Sequence, residues 1–227
     1  MSADELVAKL EQAVQAAIEL DAPLNERMAV IANAVRHLST TFAEAVDRMV
    51  THLQEHGAGQ TAPAPGELMP SFLLPDETGR LISLEDLLKN GPVAVSFHRG
   101  HWCPYCRLNA IGLAEVQKEV ADLGGQIVAI VPERRKFTGA LKDEAEASFP
   151  VLTDMDNGYA LSLNLAIWVG AEMEKLIAGA GWDVPKYQGN AAWMLPIPAT
   201  QANEMTHCKS SIAQVSVALN VFVEGLS

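Results

Sequence analysis

The sequence predicts an α/β domain whose sheet has parallel strands, preceded by an all-helical segment. Three observations carry this reading. Helical periodicity runs through residues 1–56, a Gly- and Pro-rich stretch at 57–66 interrupts it, and strand and helix patterns alternate from residue 67 onward. Such alternation implies a sheet with a parallel component, because parallel neighbours are joined through a crossover helix. The chain of 227 residues, 49% hydrophobic and 19% charged, has room for one good-sized core with an appendage. Its formal charge of −12 disfavours a nucleic-acid partner, which needs clustered Lys and Arg against phosphate.

In the first 56 residues, Ser2 with Glu5 forms a capping box ahead of Leu6, Leu10, Val14 and Ile18 at helical spacing. Asp21-Ala22-Pro23 breaks the run. Leu24, Met28, Ile31, Val35 and Leu38 mark a second helix. A third is expected from a cap at Thr41 with Glu44, leading into Phe42, Val46, Met49, Val50 and Leu53. No catalytic cluster appears here: His37, His52 and His56 read as surface residues. The segment is expected to be a helical extension and a candidate homodimer surface, followed by the linker 57–66.

Phe72-Leu73-Leu74, a turn at Glu77-Thr78-Gly79 and Leu81-Ile82 suggest a hairpin. Ser83 with Asp86 opens a brief helix that stops at Asn90-Gly91-Pro92, and Val93 to His98 reads as a buried strand. A helix follows from Pro104 to about Leu123, then a strand from Gln126 to Val131. A charged helix is expected over Glu133 to Glu146, with Glu133-Arg134-Arg135-Lys136 as its solvated start. Val151-Leu152 begins another strand, Asp154 to Gly158 is a turn, Tyr159 to Leu163 a short helix, and Lys186 to Ala192 a loop.

The chemistry concentrates between the strand ending at His98 and the helix starting at Pro104, where His101-Trp102-Cys103-Pro104-Tyr105-Cys106 places a C-x-x-C. At a helix N-terminus, unpaired N–H groups and the macrodipole favour an anion, so a thiolate there is stabilised and reactive. The chain has three cysteines, Cys103, Cys106 and Cys208, which is no disulfide framework. The acidic N-terminus lacks a signal-peptide layout, and no apolar run is long enough to span a bilayer, so a cytoplasmic, reducing compartment is expected. Zinc is the rival use. His98, His101, Cys103 and Cys106 fall within nine residues, but a His98 held in a strand opposes convergence with the helix start. Haem attachment would need a His after the second cysteine, where Arg107 stands.

Ser71-Phe72-Leu73-Leu74-Pro75-Asp76 with Gly79, and Val93 through Cys106, resemble the alkyl hydroperoxide reductase/thiol-specific antioxidant family, in its peroxiredoxin-like branch with a C-x-x-C. Phe149 through Asp154, Trp182-Asp183-Val184-Pro185 and Leu195 through Thr200 continue the likeness, over roughly residues 66–200. The resemblance implies a thioredoxin-like fold, a central mixed sheet flanked by helices, over residues 67–200. It also implies that Pro198, beside Thr200, is a cis-proline facing the active site, a geometry that costs an X–Pro bond only about 0.5–1 kcal/mol. No metal or organic cofactor is implied.

Two registers compete for the nucleophile. In the thioredoxin register Cys103 attacks and Cys106 resolves. In the peroxiredoxin pattern P-x-x-x-T-x-x-C, Cys106 is the peroxide-attacking cysteine, but Arg99 and Cys103 stand where proline and threonine are expected. The family resemblance also implies an arginine from a later strand, and the sequence has none after Arg135. Arg99 and Arg107 are the charges near the thiols, and Trp102 is expected to lie as a lid beside the sulfurs. Residues 201–227 depart from the family: the expected hairpin turn is missing, although Val215, Val217, Leu219, Val221 and Val223 alternate as a strand would, and Cys208 lies in this tail.

The expected activity is reduction of hydroperoxides through a Cys103/Cys106 dithiol–disulfide cycle, with an external thiol reductant such as a thioredoxin system. The alternatives are protein disulfide exchange without peroxidase activity, and a non-catalytic module that binds partners under redox control.

Overall fold

A computed structural model describes residues 3–63 and 67–203. The Ser2 cap, part of the linker, Cys208 and the alternating valines of the tail lie outside these residues.

Three helices open the chain: α1 (Ala3–Glu19), α2 (Leu24–Leu38) and α3 (Thr40–Glu55). The cap of α3 is Ser39, whose hydroxyl accepts the Phe42 N–H at 3.2 Å, rather than the expected Thr41. Ser39 has the extended backbone that a capping residue needs, whereas Thr41 is already inside the helix. The hairpin β1 (Leu73–Pro75) and β2 (Leu81–Ser83) pairs antiparallel, and Ser83 caps α4 (Leu84–Leu88) by accepting from the Asp86 N–H at 3.1 Å.

The central sheet contains β3 (Val93–Phe97), β4 (Gln126–Val131), β5 (Val151–Thr153) and β8 (Ala199–Asn203), in the order β5-β4-β3-β8. Strands β3, β4 and β5 run parallel, and β8 is antiparallel to β3, with Ser96 opposite Thr200. Alternation sorts the two faces. Val93, Val95, Phe97, Val128 and Ile130 pack in one core with Phe72 and Tyr159; Ala94, Ala129 and Val131 face α5 (Pro104–Asp122) on the other side.

On that second face the N-terminal helices are part of the domain. Leu10, Val14, Ala17, Leu24 and Ile31 share a core with Leu108 and Leu113 of α5. Buried Arg27 joins them, donating to the Ala17 carbonyl at 3.0 Å and to Glu115 at 2.8 Å.

After β4, α6 (Arg135–Glu144) starts later than expected, and Glu133 is fully buried instead of forming a solvated helix start. Its carboxylate is drawn inward by the N–H groups of the cysteine turn, described below. Past β5 and a single 3₁₀ turn at Met155–Asn157, the chain forms α7 (Gly158–Ser162). A second hairpin, β6 (Ala166–Trp168) with β7 (Met194–Pro196), encloses α8 (Gly170–Gly179) and α9 (Val184–Gln188). The expected loop therefore begins only after Gln188. Asp183 caps α9 by accepting the Lys186 N–H at 3.1 Å, with Pro185 in its first turn.

Candidate active site

Strand β3 ends under α5, and the connecting turn sets Cys103 as the N-cap of that helix with Pro104 in its first turn. Proline fits there because the first helical N–H has no intrahelical partner to lose. One helical turn on, Cys106 lies on the same face. Both cysteines are free thiols and both are buried, Cys103 at 3% and Cys106 at 1% exposure.

The two sulfurs are electrostatically unequal. A hydrogen bond from the Cys106 thiol holds the Cys103 pKa below the ordinary value. Burial opposes that shift, while the Arg99 charge and the N–H groups at the start of α5 add to it. Burial pushes the Cys106 thiol up, and the Cys103 charge pushes it further. The Arg99 backbone N–H donates to the Cys106 sulfur at 3.2 Å. The thiol more readily ionised is thus the one at the helix N-terminus, and the one held protonated more strongly lies one turn in.

A buried carboxylate fixes the turn before the cysteines. Glu133 accepts the His101 backbone N–H at 2.8 Å, and its other oxygen lies 2.7 Å from His101 Nδ1. The His101 ring stacks on Phe137 and meets the edge of Tyr187. His98, at the end of β3, is fully buried with neither ring nitrogen hydrogen-bonded, and burial lowers its pKa to about 4. His101 is engaged by Glu133 and does not join the thiols. Among the described residues, the converging ligand group is instead exposed His52, Glu55 and His56 on α3 and its C-cap.

Above Cys103 opens a cavity of about 220 Å³. Its floor is Cys103 with Trp102, Pro104 and Arg99, and its walls come from α2, α3 and α8. Aromatic contacts run from floor to wall, with Trp102 5.7 Å from Trp182 and Trp182 6.5 Å from Phe42, centroid to centroid. Arg99 Nε and Trp102 Nε1 are both buried with no hydrogen-bond partner, and both residues line the cavity. Buried N–H groups are ordinarily paired, so two unpaired donors beside a thiolate are sites for an incoming acceptor.

The expected site residues divide accordingly. Cys103, Cys106, Trp102, Pro104 and Arg99 come together. Arg107 does not: its guanidinium turns outward, donating to Glu144 at 2.7 Å and to Glu11 at 2.6 Å, and so clips α5 to α6 and α1. Pro198 departs from expectation as well. No cis peptide bond occurs among the described residues, and Pro198 is exposed, outside the lining of the cavity. The extended path from β7 into β8 keeps its peptide trans, with the Ile197 N–H bound to the Leu165 carbonyl at 2.6 Å. Thr200 serves the sheet, its hydroxyl 3.0 Å from that of Ser96.

Sequence reasoning did not assign Phe42, Val46, Met49, Met173, Ile177 and Trp182 to the site. The apolar spacing of Phe42, Val46 and Met49 was legible, but a stripe reads the same whether it meets a core or a cavity.

The AhpC/TSA family model matches residues 65–175. A Mycobacterium tuberculosis protein named as a peroxiredoxin is 30% identical over 115 residues, which cover 51% of this chain and 69% of that protein. Peroxiredoxin Bcp of Escherichia coli strain K12 is 26% identical over 92 residues, 40% of this chain and 58% of that protein. The crystal structure of the peroxidoxin BcpB from Mycobacterium tuberculosis aligns with a TM-score of 0.50 at 19% identity, covering 71% of this chain and 97% of that one, a likeness of fold. No helix among the described residues is long and apolar enough to cross a membrane.

Proposed function

The chain belongs to the AhpC/TSA family of peroxiredoxin-like thiol oxidoreductases, and we propose that it reduces hydroperoxides with Cys103 as nucleophile and Cys106 as resolving thiol. The observation that carries this assignment is Cys103 at the base of an apolar cavity, beside two unpartnered N–H donors, with its pKa lowered. A peroxide brings oxygen acceptors, which fit Arg99 Nε and Trp102 Nε1. Polarisation of the breaking O–O bond then falls to Arg99 and Trp102, since the chain has no arginine after Arg135 and Arg107 is engaged by Glu11 and Glu144.

The Cys103 thiolate attacks one peroxide oxygen. The O–O bond breaks, and the departing oxygen leaves as alcohol or water after taking a proton. Cys103 is now a sulfenic acid. The Cys106 thiol attacks that sulfur, its proton leaves with the hydroxyl as water, and the Cys103–Cys106 disulfide closes. Two equivalents of an external thiol return the pair to dithiol and leave as their own disulfide. Disulfide exchange with a folded protein fits less well, because both sulfurs lie beneath the N-terminal helices. A homodimer through those helices would have to use their outer surface, where Leu20 and Val50 are exposed, since their inner faces pack on this chain's own core.

Single-turnover stopped-flow mixing of the reduced protein with hydroperoxide tests the assignment. Cys103→Ser is expected to abolish oxidation, while Cys106→Ser still consumes one equivalent and stops at the sulfenic acid, trapped with dimedone. Full reactivity in Cys103→Ser would reverse the roles of the two cysteines, and reactivity lost in neither variant would end the peroxidase reading.

A further inference from the structure

At the C-terminal end of α3, three exposed side chains converge. His52, Glu55 and His56 stand at i, i+3 and i+4, which helix geometry puts on one face. Their ligand atoms all lie within 4.8 Å of one another, and the two imidazole centroids are 4.2 Å apart. Tetrahedral ligands of a zinc ion are about 3.3–3.5 Å apart, so small side-chain rotations close the gap. His56 is also set up to ligate. Its Nδ1 lies 2.8 Å from the His52 carbonyl. A carbonyl only accepts, so Nδ1 carries the hydrogen and Nε2 keeps the lone pair that binds a metal. The electrostatics favour a cation as well. The carbonyl end of a helix macrodipole is negative, and Glu55 adds a carboxylate. The Arg48 charge, one turn earlier, is taken up by Glu172 of α8 at 2.7 Å.

We propose that His52, Glu55 and His56 form a binding site for a divalent transition-metal ion such as Zn²⁺. Two imidazoles and a carboxylate suit zinc, whereas calcium and magnesium take oxygen ligands. The side chains supply three tetrahedral positions, and water keeps the fourth. The site shares no residue with the C-x-x-C and precedes the family-matched stretch at 65–175, so it stands apart from the peroxidase reading. The bound ion clamps the last turn of α3. Met49, one turn before His52, lines the cavity over Cys103, so the same ion stiffens one wall of that cavity.

Isothermal titration of the full chain with zinc chloride tests the site, in Cys103→Ser/Cys106→Ser/Cys208→Ser so that no thiol competes. One ion per chain is expected, with a dissociation constant of roughly 1–10 μM. In that background His52→Ala and His56→Ala should each weaken binding roughly tenfold or more. His37→Ala is the control. His37 Nδ1 lies 2.7 Å from the Asn33 carbonyl in the same way, but His37 belongs to no converging ligand group among the described residues, so binding should be unchanged. Cobalt absorption of the unaltered chain does not depend on any variant folding. Co²⁺ held by nitrogen and oxygen gives visible bands without the sulfur-to-metal charge-transfer band of a thiolate site. No saturable zinc binding, affinity unchanged in both histidine variants, or an equal loss in His37→Ala would each overturn the site. A thiolate charge-transfer band from the first equivalent of cobalt would overturn it too, by placing the ion at the cysteines. Failure of the peroxidase reading would leave this site untouched.

Discussion

His101 and Glu133 meet twice, through the His101 backbone N–H at 2.8 Å and through ring Nδ1 at 2.7 Å, with the Glu133 side chain wholly out of water. This pairing holds the turn that delivers Cys103 to the start of α5. It depends on the residue just before His101: a Cβ on Gly100 would stand 2.3 Å from the Glu133 carboxyl carbon, and Gly100 has φ +137°. Gly100→Ala is therefore expected to cost roughly 2–4 kcal/mol, from strain and displacement of a buried carboxylate together. Urea unfolding measures it; a loss under about 0.5 kcal/mol would show that the turn adapts freely.

The inequality of the two thiols has a pH signature. The Cys103 pKa is lowered to about 6, chiefly by the Cys106 thiol. Alkylation of Cys103 by iodoacetamide follows the thiolate, so it should rise with pH, reach half-maximum near 6, and be nearly flat above neutrality. In Cys106→Ala the midpoint should move upward, towards the ordinary thiol value. An unmoved midpoint would mean that Arg99 and the helix start suffice without the second sulfur.

Acid should weaken the fold through His98. Burial lowers its folded-state pKa to about 4 from an ordinary 6.5. Between those values the unfolded chain binds a proton that the folded chain does not, so stability falls as the pH falls through this window, by up to about 3 kcal/mol. His98→Leu removes this contribution. The difference between its urea midpoints at pH 7 and pH 4.5 should be smaller than that of the unaltered protein, and an equal difference would locate the acid sensitivity elsewhere.

Arg107→Met separates a structural arginine from a chemical one. The guanidinium is 14% exposed and joins Glu11 of α1 and Glu144 of α6. Burial alone would lower its pKa, but the two carboxylates raise it on balance. Its loss should destabilise the protein by about 1–3 kcal/mol. The rate of Cys103 oxidation should stay within about twofold, since Arg107 does not face the thiols. A rate drop of tenfold or more at unchanged stability would return Arg107 to the active site.

Much of this was legible in the chain itself. Strand β4 was expected at Gln126 to Val131 and occurs there, because the five consecutive apolar residues Ile127 to Val131, after the turn at Gly124-Gly125, admit few other readings. The helix at Pro104 was equally plain, with proline in its first turn and apolar residues at helical spacing. By contrast, β6 and α8 went unassigned, and most of α9 was expected to be loop. Met173 and Ile177 of α8 and Val184 and Tyr187 of α9 pack into the cluster around the cysteines, a tertiary context that local periodicity does not carry.

The sequence by itself determined the α/β class, the C-x-x-C at a strand-to-helix turn, and thus that the chemistry is a thiol's. Spacing alone suffices for that, since helix geometry sets i and i+3 on one face and the helix start stabilises an anion wherever the helix packs. Only the tertiary structure decided the rest. It turned Arg107 away and Arg99 towards the sulfurs, left Pro198 outside the site, and folded α2 and α3 over Cys103. Those outcomes depend on contacts between residues far apart in sequence, such as Arg107 with Glu11 and Trp182 with Phe42, and no local pattern records which partner a side chain will find.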